Sequence, residues 1–160
     1  MVSFKSNAKN YRDAESMAAA YLAAYFANSK IKYPLNPFKM LKDEGVEFKI
    51  CNFNKLEGVY IPAQSQEDIS IVGISAKRPI TRQRFTAAHE LCHHFRDADK
   101  QVACPIGKKN ASEYFADAFA SALLMPMGEL KIKVNEYKDI NGNVSFDDIL
   151  KIADYFGVSF

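Results

Sequence analysis

The apolar positions in the first third of the chain follow the spacing of helices. Over residues 13–28 they recur every three or four residues, which predicts an amphipathic helix. A second, short helix is predicted to start at Pro37 and to end before Gly45, because proline suits the first helical turn and glycine the position after the last. The polar residues 1–10 are predicted to be frayed.

From Val46 onward the apolar positions change to the alternation that is typical of strands. Residues 46–50 alternate between apolar and charged side chains, as a half-buried strand does. Two further short strands are predicted at residues 58–61 and 69–75, with a polar turn over residues 63–68 between them. We therefore expect a small, mostly antiparallel sheet with one face on the helices.

Helical spacing returns after the strands and predicts the second half of the chain. A helix over residues 79–96, with Thr81 as its N-cap, is apolar nearly all round, as a helix buried in a core is. Another helix is predicted after Asn110, and a third over residues 127–137. A last helix, with an apolar stripe, is expected from about 145 to 157. The order of elements predicts an α+β fold.

Length, composition and charge narrow the class of protein. A chain of 160 residues, 48% hydrophobic and 25% charged, predicts a single soluble domain over residues 1–160. A formal charge of +2 is too small to indicate nucleic-acid binding. No apolar run approaches the roughly 18 residues of a membrane span. The odd number of cysteines and the lack of C-x-x-C spacing predict free thiols in a reducing cytoplasm; the cysteines are Cys51, Cys92 and Cys104.

The strongest chemical signal is the sequence H-E-x-x-H within the predicted buried helix. His89 and His93 are four residues apart, so their rings lie on one face, separated by about 6 Å along the axis. Glu90 follows His89 by about 100° round the axis and can reach a water bound to the same ion. Two imidazoles and a carboxylate base are the reactive half of a zinc hydrolase. The alternative is a core helix that carries two solvated histidines.

A metal site needs a further protein ligand, and the next helix offers one. Glu113 and Asp117 are again four residues apart, so Glu113 can supply the third ligand and Asp117 can accept the N–H of a ligating histidine. The alternative interpretation of Glu113 is purely structural, because Asn110 could be an N-cap with Glu113 as its partner in the first turn. Cys92 lies within the motif, where packing suits it better than coordination.

Other polar residues near the motif allow more than one interpretation. Arg82 is expected to be solvated, whereas Arg84 is either solvated or holds a carboxylate that braces the site. His94 lies about 100° past His93 and points off the metal face, which predicts a surface residue or one that supports a ligand. The candidates for stabilising an oxyanion are Tyr60, Tyr114 and His94.

Three runs of sequence resemble the ImmA/IrrE family of metallopeptidases: RFTAAHELCH at residues 84–93, EYFADAFA at 113–120 and LLMP at 123–126. The resemblance covers most of the chain, although the family commonly has glycine where this chain has Cys92. It implies a zincin-like, gluzincin-type site on a central helix. In that site His89, His93 and Glu113 are the metal ligands, Glu90 is the general base, and Asp117 supports a ligand.

The resemblance also implies a function. Characterised members of the family occur in bacteria and their mobile elements, and they cleave helix-turn-helix repressors to relieve repression. This implies a cytoplasmic endopeptidase with a protein substrate, neither bound directly to nucleic acid nor inserted in a membrane. Zn²⁺ is the expected cofactor, with Mn²⁺ or Fe²⁺ as alternatives. The competing hypothesis is a non-catalytic regulatory or antitoxin-like binding module with the same fold, which the intact Glu90 disfavours.

Overall fold

The computed structural model describes residues 4–107 and 109–160, and its strands lie in the middle of the chain between two groups of helices. The helices are α1 (Phe4–Asn7), α2 (Ala14–Tyr25), α3 (Pro37–Asp43), α4 (Ile80–Arg96), α5 (Ala111–Leu124), α6 (Met127–Tyr137) and α7 (Phe146–Phe156). The strands are β1 (Val46–Cys51), β2 (Leu56–Ile61), β3 (Ser70–Ser75) and β4 (Val102–Pro105). This succession is the predicted α+β class.

The four strands form one mixed sheet in the order β1-β3-β2-β4. β2 runs antiparallel to both of its neighbours, β3 and β4, whereas β1 and β3 are parallel. The parallel pair arises because β3 inserts between β1 and β2, which follow each other in the chain. The prediction of a small, mostly antiparallel sheet is therefore confirmed. β4 was not predicted, because its four residues carry no alternating pattern.

Helix α4 is the central element of the core, and it contacts the sheet on one side and α5 on another. Every residue from Thr86 to Phe95 on this helix is buried. Leu91 and Phe95 pack with Phe119 and Leu123 of α5 in one hydrophobic cluster, in which the largest part of the apolar surface is removed from water. The helix begins at Ile80 after Pro79, without a side-chain cap, so the prediction of Thr81 as its N-cap is wrong.

The segment ahead of α2 differs from its prediction. Residues 1–3 of the predicted frayed segment lie outside the described residues, and residues 4–10 form α1 followed by a 3₁₀ turn. The Phe4 ring lies 4.9 Å from that of Phe95 and 5.2 Å from that of Tyr21, centroid to centroid. Ala8 is fully buried. The prediction of fraying is wrong for residues 4–10, because apolar anchors in a polar segment dock it onto the core.

The last helix runs close to its predicted bounds. Ser145 caps it through a hydrogen bond from the Asp148 backbone N–H to Ser145 Oγ (3.2 Å), and Gly157 ends it with φ +65°, a conformation that favours glycine. Arg84 of α4 donates from Nε to the Gly157 carbonyl at 3.0 Å and also to the Leu35 carbonyl. Arg84 therefore braces backbone rather than a carboxylate. Within the described ranges, no helix combines the length and apolarity that crossing a membrane requires.

Candidate metal centre

The two motif histidines meet on the buried face of α4. Their Nε2 atoms are 3.1 Å apart, and the rings are 5% and 0% exposed for His89 and His93. Each Nδ1 faces a carboxylate, with His89 at 2.9 Å from Asp117 Oδ1 and His93 at 2.8 Å from Asp97 Oδ2. Because a carboxylate only accepts, each Nδ1 carries its proton, and in the neutral ring Nε2 keeps its lone pair for an ion.

Glu113 of α5 completes a set of three converging donors. Its Oε1 lies 3.1 Å from His93 Nε2, and its Oε2 lies 3.3 Å from His89 Nε2. The helix positions it through Asn110, whose side-chain oxygen accepts the Glu113 backbone N–H at 3.0 Å. The capping and ligand interpretations of Glu113 are thus compatible, because the cap uses its backbone and the cluster uses its carboxylate.

Asp117 lies where the sequence predicted it, one turn after Glu113 and against His89. It also forms an ion pair with Lys109. Asp97 contacts His93 in the way that Asp117 contacts His89. Asp97 was not predicted for the site, although it lies four residues after His93. Asp97 is fixed in turn by a hydrogen bond from Ser112 Oγ at 3.0 Å. Both ring orientations are therefore set by carboxylates that are themselves held.

The charge balance of the cluster favours a cation. Burial opposes a charge on His93, but its hydrogen bonds to Asp97 and Glu113 outweigh burial and raise its pKa to about 9. Burial likewise works against ionised Glu113, yet the hydrogen bonds from both histidines hold its pKa below the ordinary value. The hydrogen bond from His93 also lowers the pKa of Asp97. The carboxylates that stabilise a proton on His93 would also stabilise a divalent cation at the same place.

Glu90 lies beside this cluster, fully buried, and neither of its carboxylate oxygens has a hydrogen-bond partner among the described residues. Burial raises its pKa to about 7, against the opposing effects of the two histidines and of the Cys104 thiol. The backbone of β2 covers it closely, since a Cβ added to Gly58 would lie 2.3 Å from Glu90 Oε1 and 2.6 Å from Thr86 Cγ2. An unpartnered, buried carboxylate next to three donors is suited to take a proton from a water molecule there.

Cys104 of β4 also reaches the cluster, and it was not among the residues predicted for the site. Its thiol is 3.1 Å from His89 Nε2 and 3.6 Å from Glu113 Oε1, and the residue is only 4% exposed. Burial raises the pKa of this thiol. Cys92, by contrast, is buried in the hydrophobic core, which agrees with the packing role expected for it. No local pattern marks Cys104, because its strand is short and pairs with residues far back in the chain.

Three of the other polar candidates, Tyr60, His94 and Arg82, have structural partners. The Tyr60 hydroxyl is buried and bonds to Ser70 Oγ at 3.3 Å and to His94 Nδ1 at 3.2 Å. His94 is 4% exposed, so the first of its two predicted roles, a surface residue, is wrong, and burial lowers its pKa to about 4. Tyr114 is 64% exposed. Arg82 pairs with Glu57 (3.4 Å), and 37% of its side chain stays exposed, as expected for a solvated residue.

The donor atoms fit the dimensions of a zinc-type centre. An ion with bonds of about 2.0–2.1 Å to nitrogen and oxygen, in tetrahedral arrangement, separates its donors by about 3.3 Å. The two Nε2 atoms are 3.1 Å apart, and each lies near a different oxygen of Glu113, at 3.1 Å for His93 and 3.3 Å for His89. Together with the partnerless carboxylate of Glu90, this spacing indicates a metal centre rather than a core helix with two solvated histidines.

Comparison with known proteins agrees with this geometry. No curated protein sequence matches the chain. The model of peptidase family M78, described as an IrrE N-terminal-like domain, matches residues 41–160, which includes α4, α5 and all four strands. The match covers the H-E-x-x-H motif, Cys104 and the Glu113 helix, so the family and the buried cluster lead to the same conclusion. The chain belongs to the M78 metallopeptidases, the family with the IrrE N-terminal-like domain.

Proposed function

We propose that this metallopeptidase is a zinc-dependent endopeptidase in which His89, His93 and Glu113 hold the ion. The observation that carries the proposal is the convergence of their donor atoms at 3.1–3.3 Å beside the unpartnered carboxylate of Glu90. Two imidazoles and one carboxylate are a common ligand set of catalytic zinc. The same donors also accept Mn²⁺ or Fe²⁺, so the metal content of the purified protein decides between them.

Glu90 is proposed as the general base. When bound, zinc lowers the pKa of a coordinated water to about 7 and polarises the scissile carbonyl. Glu90 accepts the proton of the attacking water and passes it to the leaving amine. Its pKa of about 7 lies near neutral pH, where a group can take up a proton in one step and release it in the next.

Asp117 and Asp97 are proposed to position the ligands. Asp117 fixes the tautomer of His89 and Asp97 that of His93, and each carboxylate makes the ring that it contacts a more basic ligand. Neither aspartate reaches the converging Nε2 atoms, so both act through the histidines. Their removal is expected to loosen the metal rather than to abolish the chemistry of a loaded site.

For the substrate, we propose a helix-turn-helix repressor that is cut at one or two bonds in the cytoplasm. The resemblance to the ImmA/IrrE family supports this choice, and the strand arrangement supports the way an extended segment would enter. β4 is an edge strand that carries Cys104 into the cluster. A peptide that adds to its free edge would therefore lie next to the metal ligands. An exposed linker of the repressor can become extended in this way.

The experiment is to incubate the protein with the repressor encoded beside its gene and, separately, with casein, with and without a chelator. We expect chelator-sensitive cleavage of the repressor at one or two bonds and little digestion of casein. Glu90→Gln should keep the metal but lose about two to four orders of magnitude in rate. Digestion of casein with the repressor intact would refute the substrate, and full activity of Glu90→Gln would refute the mechanism.

A further inference from the structure

The thiol of Cys104 occupies the position of a fourth donor in the cluster. The ligand atoms of His89, His93, Cys104 and Glu113 all lie within 4.8 Å of one another, and all four residues are buried. Around a tetrahedral zinc ion with a sulfur bond of about 2.3 Å, sulfur is about 3.6 Å from a nitrogen or oxygen ligand. The Cys104 sulfur is 3.6 Å from Glu113 Oε1, which matches that separation, and 3.1 Å from His89 Nε2, which is shorter.

The surroundings of Glu90 give an independent sign that the centre is closed. Glu90 is fully buried, and the backbone of Gly58, which pairs in the sheet with Cys104, lies against it. A cavity of about 20 Å³ borders the cluster, and its described lining residues include His89, Cys104 and Glu113 but not Glu90. A cavity this small admits about one water molecule, whereas a peptide needs far more room.

The geometry points to a closed form of the centre in which Cys104 is the fourth protein ligand and the peptidase is latent. This inference rests on the proposed function, since it requires the ion held by the two histidines and Glu113. Ligation forms a metal–sulfur bond and breaks the S–H bond of Cys104, and the proton passes to solvent. A zinc site with four protein ligands is of the structural type, whereas a catalytic site keeps one position open.

The position of Cys104 in the sheet provides a way to open the centre. β4 has four residues, lies at an edge and is hydrogen-bonded in the sheet to β2. Its register with β2 shifts between Leu56 and Gly58. Withdrawal of β4 would remove the thiol while β2 and α4 keep Gly58, Glu90 and the histidines in place. The bond exchange in opening is the reverse of ligation, with a proton returned to the thiol and a water taking the fourth position.

The test is X-ray absorption at the zinc edge on the purified, zinc-loaded protein under reducing conditions. We expect one sulfur neighbour at about 2.3 Å together with nitrogen and oxygen at about 2.0–2.1 Å. The cobalt-substituted protein should show a thiolate-to-cobalt charge-transfer band in the near ultraviolet. Both signals should be lost in Cys104→Ala and Cys104→Ser and kept in the matched control Cys51→Ser, at the end of β1.

An X-ray absorption spectrum that shows only nitrogen and oxygen neighbours around zinc in the wild-type protein would overturn the inference. This measurement needs no variant. If such a protein still cleaves its repressor, the proposed function stands and only the fourth ligand is wrong. A protein that binds no metal would refute both. If the thiol closes the centre, its removal should open the fourth position. At equal zinc loading, Cys104→Ala should therefore cleave the repressor faster than the wild type. Equal or slower cleavage would show that the thiol does not keep the enzyme latent.

Discussion

Replacing Glu90 by glutamine should change how the stability of the metal-free protein depends on pH. Burial without a hydrogen-bond partner raises the pKa of Glu90 from an ordinary value of 4.5 to about 7. A carboxyl group whose pKa is higher in the folded than in the unfolded protein stabilises the fold fully when the pH is below its unfolded pKa. This stabilisation is lost as the pH rises through its folded pKa. Ionised Glu90 therefore destabilises the metal-free fold in neutral and alkaline solution, whereas glutamine stays neutral.

The size of the effect follows from the difference between the two pKa values. Each pKa unit corresponds to about 1.4 kcal/mol, so a rise from 4.5 to about 7 costs the fold about 3 kcal/mol once Glu90 is fully ionised. Between pH 5 and pH 8 the advantage of Glu90→Gln over the wild type should grow by about 2–3 kcal/mol. The other titrating groups, His93 included, are present in both proteins, so comparing the two removes most of their contribution.

The assay is denaturant unfolding of both proteins in chelator at pH 5, 6, 7 and 8. Glu67→Gln is the matched control for the change of side chain, because Glu67 is exposed. A curve for Glu90→Gln that runs parallel to the wild type would refute the argument, since it would mean that the folded Glu90 carboxyl titrates as it does in the unfolded chain. Saturating zinc should reduce the difference, because the bound ion favours the ionised carboxylate.

Three further predictions concern the supports of the site. Gly58→Ala should destabilise the fold by about 1–3 kcal/mol in denaturant unfolding, because its Cβ would meet Glu90 and Thr86, whereas Gly128→Ala in α6 meets nothing and should stay within about 1 kcal/mol. Asp97→Asn should weaken zinc binding about 10–100-fold in competition titrations. Arg84→Ala should lower the free energy of unfolding by about 2 kcal/mol, since it removes charged hydrogen bonds to two backbone carbonyls.

Each of these has an outcome that would contradict it. A Gly58→Ala protein as stable and active as Gly128→Ala would mean that β2 does not closely cover the base. Asp99→Asn is the control for Asp97→Asn, because Asp99 is exposed and paired only with Lys9 at 3.6 Å among the contacts described. Equal zinc affinities for these two variants would exclude Asp97 as a support of His93. Unchanged unfolding of Arg84→Ala would mean that its carbonyl contacts add no net stability.

The sequence could predict those parts of the site that depend on the spacing of residues along one helix. His89 and His93 share a face because they are four apart on one helix, and Glu113 and Asp117 do so for the same reason. Asp97 obeys the same rule, but it lies at the C-cap of α4, where spacing does not tell whether the helix still continues. Helical spacing therefore predicted each pair of side chains, whereas the meeting of the two pairs was implied by the family resemblance.

What the sequence could not predict was the part set by strand pairing. Cys104 reaches His89 only because β4 pairs with β2, across more than forty residues of chain. Nothing in the four residues of β4 specifies that partner, and a shift of one residue would turn the thiol to the other face. The docking of α1 was missed for a related reason, because Phe4 is one apolar residue whose partners Tyr21 and Phe95 are distant.

The β2–β4 pair links the two proposals. β2 covers the base through Gly58, and β4 brings in the thiol of Cys104, so one strand pair determines both the environment of Glu90 and the availability of the fourth metal position. A substrate that adds to the free edge of β4 would bind the very strand that must move for the site to open. Substrate docking would then supply the free energy that separates the thiol from the ion. Selectivity for one extended segment would follow from this coupling, because a polypeptide unable to engage β4 would meet a closed centre.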